Sequence, residues 1–395
     1  MPGAFDGIRI IDLTTMVSGP MGCMILADQG AEVIKVESHM GDQMRYLGPR
    51  HNGMTGGFFS CNRGKKSISL DLKSDEGKQV LRDLIQTADA IVQNFRPGAM
   101  DRMGFGEEAV RAIKPDILYV SISGFGETGP YAHKRVYDPV IQALTGATDV
   151  QADRKTNRPQ MFQVIIADKV TSLTAAQAIS AGLFAKERTG KGQHVRLSML
   201  DSLVAFFWPE QMATLNFVGK EADPATFRSG MDLIYETQDG YITAGAISDK
   251  EWRGMCTVLK KPEWIEDPRF AEAGERMKNA SIRKELTAVE IAKWKTDEIL
   301  KRLDEEDVPS APLLRRADLI EDEQCKANAL FIIDEYGKLG EVRQPRPAAQ
   351  FAETPAGIRS AAPFLGEHND EILVSLGYSD EERATLKEKG ILASA

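Results

Sequence analysis

Apolar runs of strand length alternate with amphipathic stretches of helix length from residue 8 to residue 123, and that alternation leaves few folds open. Ile8–Leu13 (IRIIDL) reads as a strand, the segment after Pro20 as a helix ending near Gly30, and Ala31–Glu37 (AEVIKVE) as a second strand, a βαβ unit of about thirty residues. SISLDL, a helix over Ser74–Thr87, AIVQNF, a helix around Asp101–Ile113 and ILYVSIS continue the pattern. Strands spaced by helices imply a parallel sheet covered by those helices, an α/β fold. Further on, VII (Val164–Ile166) reads as a short buried strand, Val170–Lys186 as a close-packed helix of small residues, His194–Leu200 as another strand and Asp201–Val218 as helix.

The texture changes after residue 218. A polar break, GKEADPATFRSG, forms a linker over 219–230, and 231–325 reads as a smaller α+β domain. It opens with a hairpin, LIYETQDGYITAGA, turning at Asp239-Gly240, followed by charged amphipathic helices from Asp249 and Ser281. Residues 326–395 carry an extended Pro-, Arg- and Ala-rich stretch and a final helix at Asp370–Leu376, a linker and C-terminal segment returning to the large domain of residues 1–218.

A net charge of −9 argues against general nucleic-acid binding, so an anionic ligand must meet a local basic cluster. Lys65, Lys66, Lys73, Arg96, Arg102 and Lys134-Arg135 flank the predicted strands, and the carboxyl edge of such a sheet is where ligands bind. Solvated surface lysines and arginines are the plain alternative. The four cysteines, Cys23, Cys61, Cys256 and Cys325, show neither CxxC nor metal-ligand spacing with the five histidines. The N-terminus lacks signal-peptide character and no apolar run spans a bilayer. A reduced cytoplasmic protein without zinc or membrane association is expected.

GFGETG (Gly124–Gly129) matches G-x-G-x-x-G after a strand, yet Pro130–Arg135 continues as loop where a helix should receive the pyrophosphate. NAD or FAD is therefore not expected there. NFRPGAMDRMGF (Asn94–Phe105) offers an aromatic face, an amide and two guanidinium groups, which suit an adenine nucleotide. Its structural alternative is a strand end turning into a helix with Pro97 near its start. No serine or cysteine has a nucleophile's local context, which leaves carboxylate chemistry as the leading option. Asp168, between VII and the small-residue helix, is the candidate nucleophile; its plain alternative is a helix N-cap worth roughly 1 kcal/mol.

Taken in order, IDLTTMVSGP, GAEVIKVE, NRGKKSISLDL, NFRPGAMDRMGF, ISGFGETGP, YDPVIQALTG, ADKVTSLTAA and RTGKGQHV, with FLGEHND near the end, resemble the class III CoA-transferases, the CaiB/BaiF or formyl-CoA transferase family. The resemblance implies a Rossmann-like large domain with a smaller one, and two chains threaded as interlocked rings. It implies that Asp168 is the nucleophile, with Tyr137 and Asp138 as candidate helpers. Coenzyme A would be held by Val17 and Ser18, by Leu70, Asp71, Leu72 and Lys73, by Asn94, Phe95 and Arg96, by Arg102, and by Lys134, Arg135, Val136 and Tyr137. Ser38 stands where some members carry an arginine toward a CoA phosphate, with His39 beside it as a partial substitute. The α-methylacyl-CoA racemase branch shares these motifs, but its histidine base would fall at Tyr137, and His133 is four residues away. FRSGMDLIYETQDGYI contains no tetraglycine lid of the formyl-CoA branch. A non-catalytic CoA-binding protein is the alternative of a different class.

Overall fold

The computed structural model describes residues 2–153, 156–210, 212–222 and 232–394. The chain forms two compact units, one of Met1–Ala213 with Ala329–Ala395 and one of Thr214–Asn328. Residues 223–230 of the expected linker, and the FRSGM segment where a lid was sought, lie outside the described residues.

The first unit is built on six strands: β1 (Arg9–Asp12), β2 (Glu32–Glu37), β3 (Lys65–Ser69), β4 (Ala90–Gln93), β5 (Leu118–Ser123) and β6 (His194–Ser198). They form one sheet in the order β3-β2-β1-β4-β5-β6 with every neighbouring pair parallel. This is the doubly wound arrangement, whose order reverses between β1 and β4. Up to residue 213 its described helices are α1 (Ser18–Asp28), α2 (Gly56–Asn62), α3 (Asp75–Thr87), α4 (Ala99–Met103), α5 (Glu107–Ile113), α6 (Asp138–Leu144), α7 (Ala147–Val150), α8 (Ile166–Thr189) and α9 (Met199–Phe207), and the returning segment adds Asn369–Ser375 and Asp380–Glu388.

Both faces of the sheet are covered, which is why its strands read as apolar runs without alternation. Ile11, Ile34, Ile68, Ile91 and Tyr119 face Val80, Leu81 and Leu84 of α3. Their neighbours Ile10, Val33, Val92 and Val120 face Leu26 of α1 and Ile179 and Leu183 of α8. The returning C-terminal segment closes the first layer with Ile372, Leu373, Leu386 and Ile391. It also covers the open edge of β3, where Asn369 Oδ1 accepts from Ser69 N at 2.9 Å and His368 N donates to Ser67 O at 3.0 Å.

Several elements differ from the sequence expectation for identifiable reasons. Val164–Ile166 is not a strand: the edge beside β5 is already paired with β6, Val164 and Ile165 are exposed, and Ile166 opens α8. SISLDL pairs only as far as Ser69, the strand beginning instead at Lys65. The helix expected over 101–113 is two, broken at Gly104 (φ 84°), with Phe105 turned into the core. Asp201–Val218 is helical only to Phe207, followed by a 3-10 turn at Ala213–Leu215. A further helix, Asp380–Glu388, lies beyond the one expected as final.

The second unit has a three-stranded antiparallel sheet, with Ile234–Glu236 and Ser310–Pro312 flanking Tyr241–Ala244. Trp252, Met255 and Cys256 of the helix Asp249–Val258 pack on it with Ile291, Ile299 and Leu303. It is an α+β unit with its own core.

Candidate active site

Asp168 is the third residue of α8 rather than its cap: Ile165 holds the cap position and no side chain caps the helix. The carboxylate is half-buried, and burial is the first cause that pushes its pKa up to about 6. The like charge of Asp138 adds to the rise, while the amide and hydroxyl of Ser18, as donors toward the carboxylate, oppose it. Asp138 is buried at the first position of α6, and its Oδ2 accepts from Asp168 N at 3.1 Å. Its other oxygen accepts from Gln142 Nε2. Tyr137, immediately before it, is exposed.

Ser18 reaches this point because α1 and α8 cross closely. A Cβ at Gly22 would lie 3.0 Å from Ser172 O and 3.2 Å from Ala175 Cβ, so only glycine fits there without a shift. Ser172 Oγ donates to Val17 O at 3.2 Å, tying the start of α1 to the second turn of α8. The beginnings of two helices thus meet at one carboxylate, with N–H donors beside it.

The remaining sequence-predicted residues follow from the strand order. Val17 and Ser18 come after β1, Ser38 and His39 after β2, Leu70–Lys73 after β3, and Asn94, Phe95 and Arg96 after β4. All lie beyond the carboxyl ends of adjacent strands and straddle the reversal between β1 and β4. Leu72 and Phe95 pack together against the same core layer. Asn94 spends both ends of its amide on the backbone of Thr15, accepting from its N–H at 2.9 Å and donating to its carbonyl at 2.8 Å. His39 Nε2 lies 3.1 Å from Ile391 O. The loop after β5 runs without helix to Asp138, and Gly124 lets Val136 approach, since a Cβ would lie 2.5 Å from Val136 Cγ1.

The basic residues divide into two groups. Lys65 and Lys66 stand at the amino end of β3, away from the ligand edge, and both are paired. Lys65 is fully buried against Asp12 at 2.7 Å, and Lys66 contacts Glu32 and Glu371. Lys73, Arg96, Arg102, Lys134 and Arg135 are exposed and none has a carboxylate within 4 Å among the described residues; Lys134 rests on the Tyr131 ring. Five unpaired cations in an acidic protein are therefore left for an anion or for solvent.

Arg96 and Arg102 also line a cleft of about 640 Å³ that the sequence reading did not foresee. Its floor is a chain of Gln93, Ser121 and His194: Gln93 Nε2 donates to Ser121 Oγ at 3.1 Å, and Ser121 Oγ lies 2.8 Å from His194 Nε2. Burial, then Arg196, hold the imidazole below its usual pKa. The signal was present in the polar residues that interrupt these otherwise apolar strands, and the parallel register sets Gln93 of β4 directly beside Ser121 of β5. Among the described residues, no group of three or more His, Cys, Asp or Glu could hold a metal, and no helix is long and apolar enough to cross a membrane.

The fold is a doubly wound α/β unit with a half-buried carboxylate in the first turn of α8 and exposed, unpaired cations among the segments that follow its strands. The chain belongs to CoA-transferase family III, whose profile matches residues 5–369, and it is a class III CoA-transferase. It is 33% identical over 385 residues to the succinyl-CoA:glutarate CoA-transferase of Mus musculus, covering 95% of this chain and 87% of that one. It is 34% identical over 376 residues to the acetyl-CoA:oxalate CoA-transferase of Acetobacter aceti, covering 92% and 94% respectively. The crystal structure of a CaiB/BaiF family protein from Brucella suis superposes with a TM-score of 0.83 at 32% identity, covering 95% of this chain and all of that one.

Proposed function

We propose that this chain transfers CoA from an acyl-CoA donor to a free carboxylic acid through covalent intermediates on Asp168. An Asp168 oxygen attacks the thioester carbonyl, the carbon–sulfur bond breaks, and a mixed anhydride and CoA thiolate result. The thiolate attacks the aspartyl carbonyl and expels the donor acid as carboxylate, leaving an aspartyl-CoA thioester. The acceptor carboxylate then attacks that thioester to give a second anhydride, and the returning thiolate takes the new acyl group. No net proton is required, and each step exchanges one activated carbonyl for another.

The observation that carries the reading is the setting of Asp168, a carboxylate of raised basicity facing the Ser18 amide and hydroxyl. Once acylated, its carbonyl oxygen would meet those same donors as negative charge develops. Asp138 would help by holding the first turn of α8 through Asp168 N. The CoA phosphates would lie along the row of Lys73, Arg96, Arg102, Lys134 and Arg135, with Val17, Ser18, Leu70–Leu72, Asn94, Phe95, Val136 and Tyr137 as backbone and apolar contacts. Tyr137 stands where the racemase branch would need its histidine base, which favours exchange over proton transfer. The names of the relatives support a short dicarboxylate acceptor.

The test is to incubate the enzyme with succinyl-CoA or acetyl-CoA and a panel of dicarboxylates, then add hydroxylamine. Peptide mapping should find a hydroxamate on Asp168, and Asp168→Asn should lower kcat by at least about a thousandfold. A hydroxamate on another residue, or exchange surviving in Asp168→Asn without deamidation, overturns the assignment.

A further inference from the structure

The segment Thr14–Ser18, which delivers Ser18 to Asp168, is held by buried charge to an unusual degree. Asp12 Oδ1 accepts from both the amide and the hydroxyl of Thr14. Lys35 Nζ donates to Thr14 O at 2.7 Å, and Asn94 brackets Thr15. Asp42 Oδ1 accepts from Met16 N and from Met44 N, both at 3.0 Å. Lys65 Nζ donates to Pro20 O at 2.8 Å inside the first turn of α1. Asp12, Lys35 and Asp42 have no exposed surface and Lys65 is 1% exposed. Asp42 Oδ2 meets Lys35 Nζ at 3.1 Å as an ion contact rather than a directed hydrogen bond.

Met16 adopts a left-handed backbone (φ 68°), a conformation that costs an L residue of this kind free energy and persists only where its surroundings impose it. Burying four charges is likewise not a route to stability, since apolar residues of similar volume commonly serve as well. Both costs converge on the segment Thr14–Ser18 that leads into α1, and both are explained if the segment must be fixed for what its end does.

We propose that Asp42, neutralised by Lys35, is a positioning residue of the transferase: by holding Met16 in the left-handed conformation it aims the Ser18 amide and hydroxyl at Asp168. The inference rests on Asp168 as the reacting carboxylate but concerns a residue that does not touch the substrate. Its chemistry is indirect. Loss of the Asp42 acceptor frees Met16 to relax, Ser18 withdraws, and Asp168 loses the donor influence that restrains its basicity. The other groups facing Asp168 are the Asp138 carboxylate from α6 and the neutral Cys61 thiol from α2, and neither is held by Asp42.

The experiment compares Asp42→Ala, Asp42→Asn and Lys35→Met/Asp42→Leu. Asp42→Asn keeps an oxygen for the Met16 amide. The double variant removes both charges together, so it guards against a lost fold caused by an unpaired ammonium. In Asp42→Ala and the double variant, kcat is expected to fall roughly 10- to 100-fold with KM for the acyl-CoA within about twofold. The acidic limb of the kcat profile should move to higher pH, and Asp42→Asn should restore most of both. In parallel, infrared titration of the Asp168 carboxyl, by difference from Asp168→Asn, should show the same upward shift without turnover. Variants that lose thermal stability while the Asp168 titration stays in place overturn the proposal. A carboxyl that shifts in a protein with no exchange activity supports the positioning role and refutes the transferase mechanism, so the two failures are separable.

Discussion

The proposed attack on a thioester needs basicity, and burial and Asp138 raise that of Asp168 while Ser18 keeps the rise moderate. With its pKa near 6, the group is protonated and inert in mild acid and ionised at neutral pH. The first acyl transfer should therefore rise with pH through about 6 and level off above it. Asp138→Asn removes the like charge yet leaves an oxygen for Asp168 N, so the limb should move down by roughly half a unit to one unit. Single-turnover thiolate release measured between pH 4.5 and 8 checks this; a limb that stays in place or rises would show that Asp138 does not set the basicity. Asp168 could be singled out as a candidate because its neighbours in sequence and the ordered motifs isolate it, and the structure places it in the first turn of α8. Its surroundings were less legible. Asp138, thirty residues away, was named as a candidate helper only through the family resemblance, and the frame of Asp12, Lys35, Asp42 and Lys65 is assembled by tertiary pairing that local sequence does not encode. The one visible trace was charge inside apolar strands, as in AEVIKVE.

At the scale of elements, the site depends on how closely α1 and α8 approach, and Gly22 sets that distance. A side chain there must displace either the Ser172 carbonyl or Ala175, because neither is a flexible tip. Gly22→Val is expected to cost about 1–3 kcal/mol of stability from overpacking and to lower kcat as Ser18 moves off Asp168. Thermal melting together with kcat at saturating acyl-CoA checks it; a destabilised variant with unchanged kcat would mean that the helices reseat without moving Ser18. The same crossing shows where sequence reading succeeds. The run of Ala, Ser, Thr and Gly in α8 announced close packing, and the βαβ alternation announced the parallel sheet, because both are repeated local patterns. It failed where one residue decides or where pairing is already taken. Gly104 breaks a pattern that is otherwise helical, and VII has strand composition but no free edge to join.

For the whole molecule, α8 is unusual in carrying apolar residues on faces that this chain alone leaves open. Leu173 and Phe184 are 58% and 63% exposed, and Phe206 on α9 is 56% exposed. Large apolar side chains on the outer face of a helix that is already packed on its inner face fit burial in a larger body, and burying a side chain such as Phe184 would contribute roughly 1.5–3 kcal/mol. A second copy of the chain, threaded through the first as the interlocked ring that the family resemblance implies, would be that body. Such a pair differs from two docked subunits in how it comes apart. Ordinary dimers dissociate on dilution, whereas threaded chains must unfold at least one unit to separate. Light scattering should therefore give twice the mass of one chain, unchanged down to nanomolar concentration. Mixed isotopically labelled and unlabelled protein should exchange subunits only at denaturant concentrations that unfold the chain. Leu173→Glu/Phe184→Glu should remove the assembly at synthesis and leave little soluble enzyme, because the charges would be trapped in the joint surface. A soluble, fully active double variant of single-chain mass would show that these residues face water and that each chain works alone.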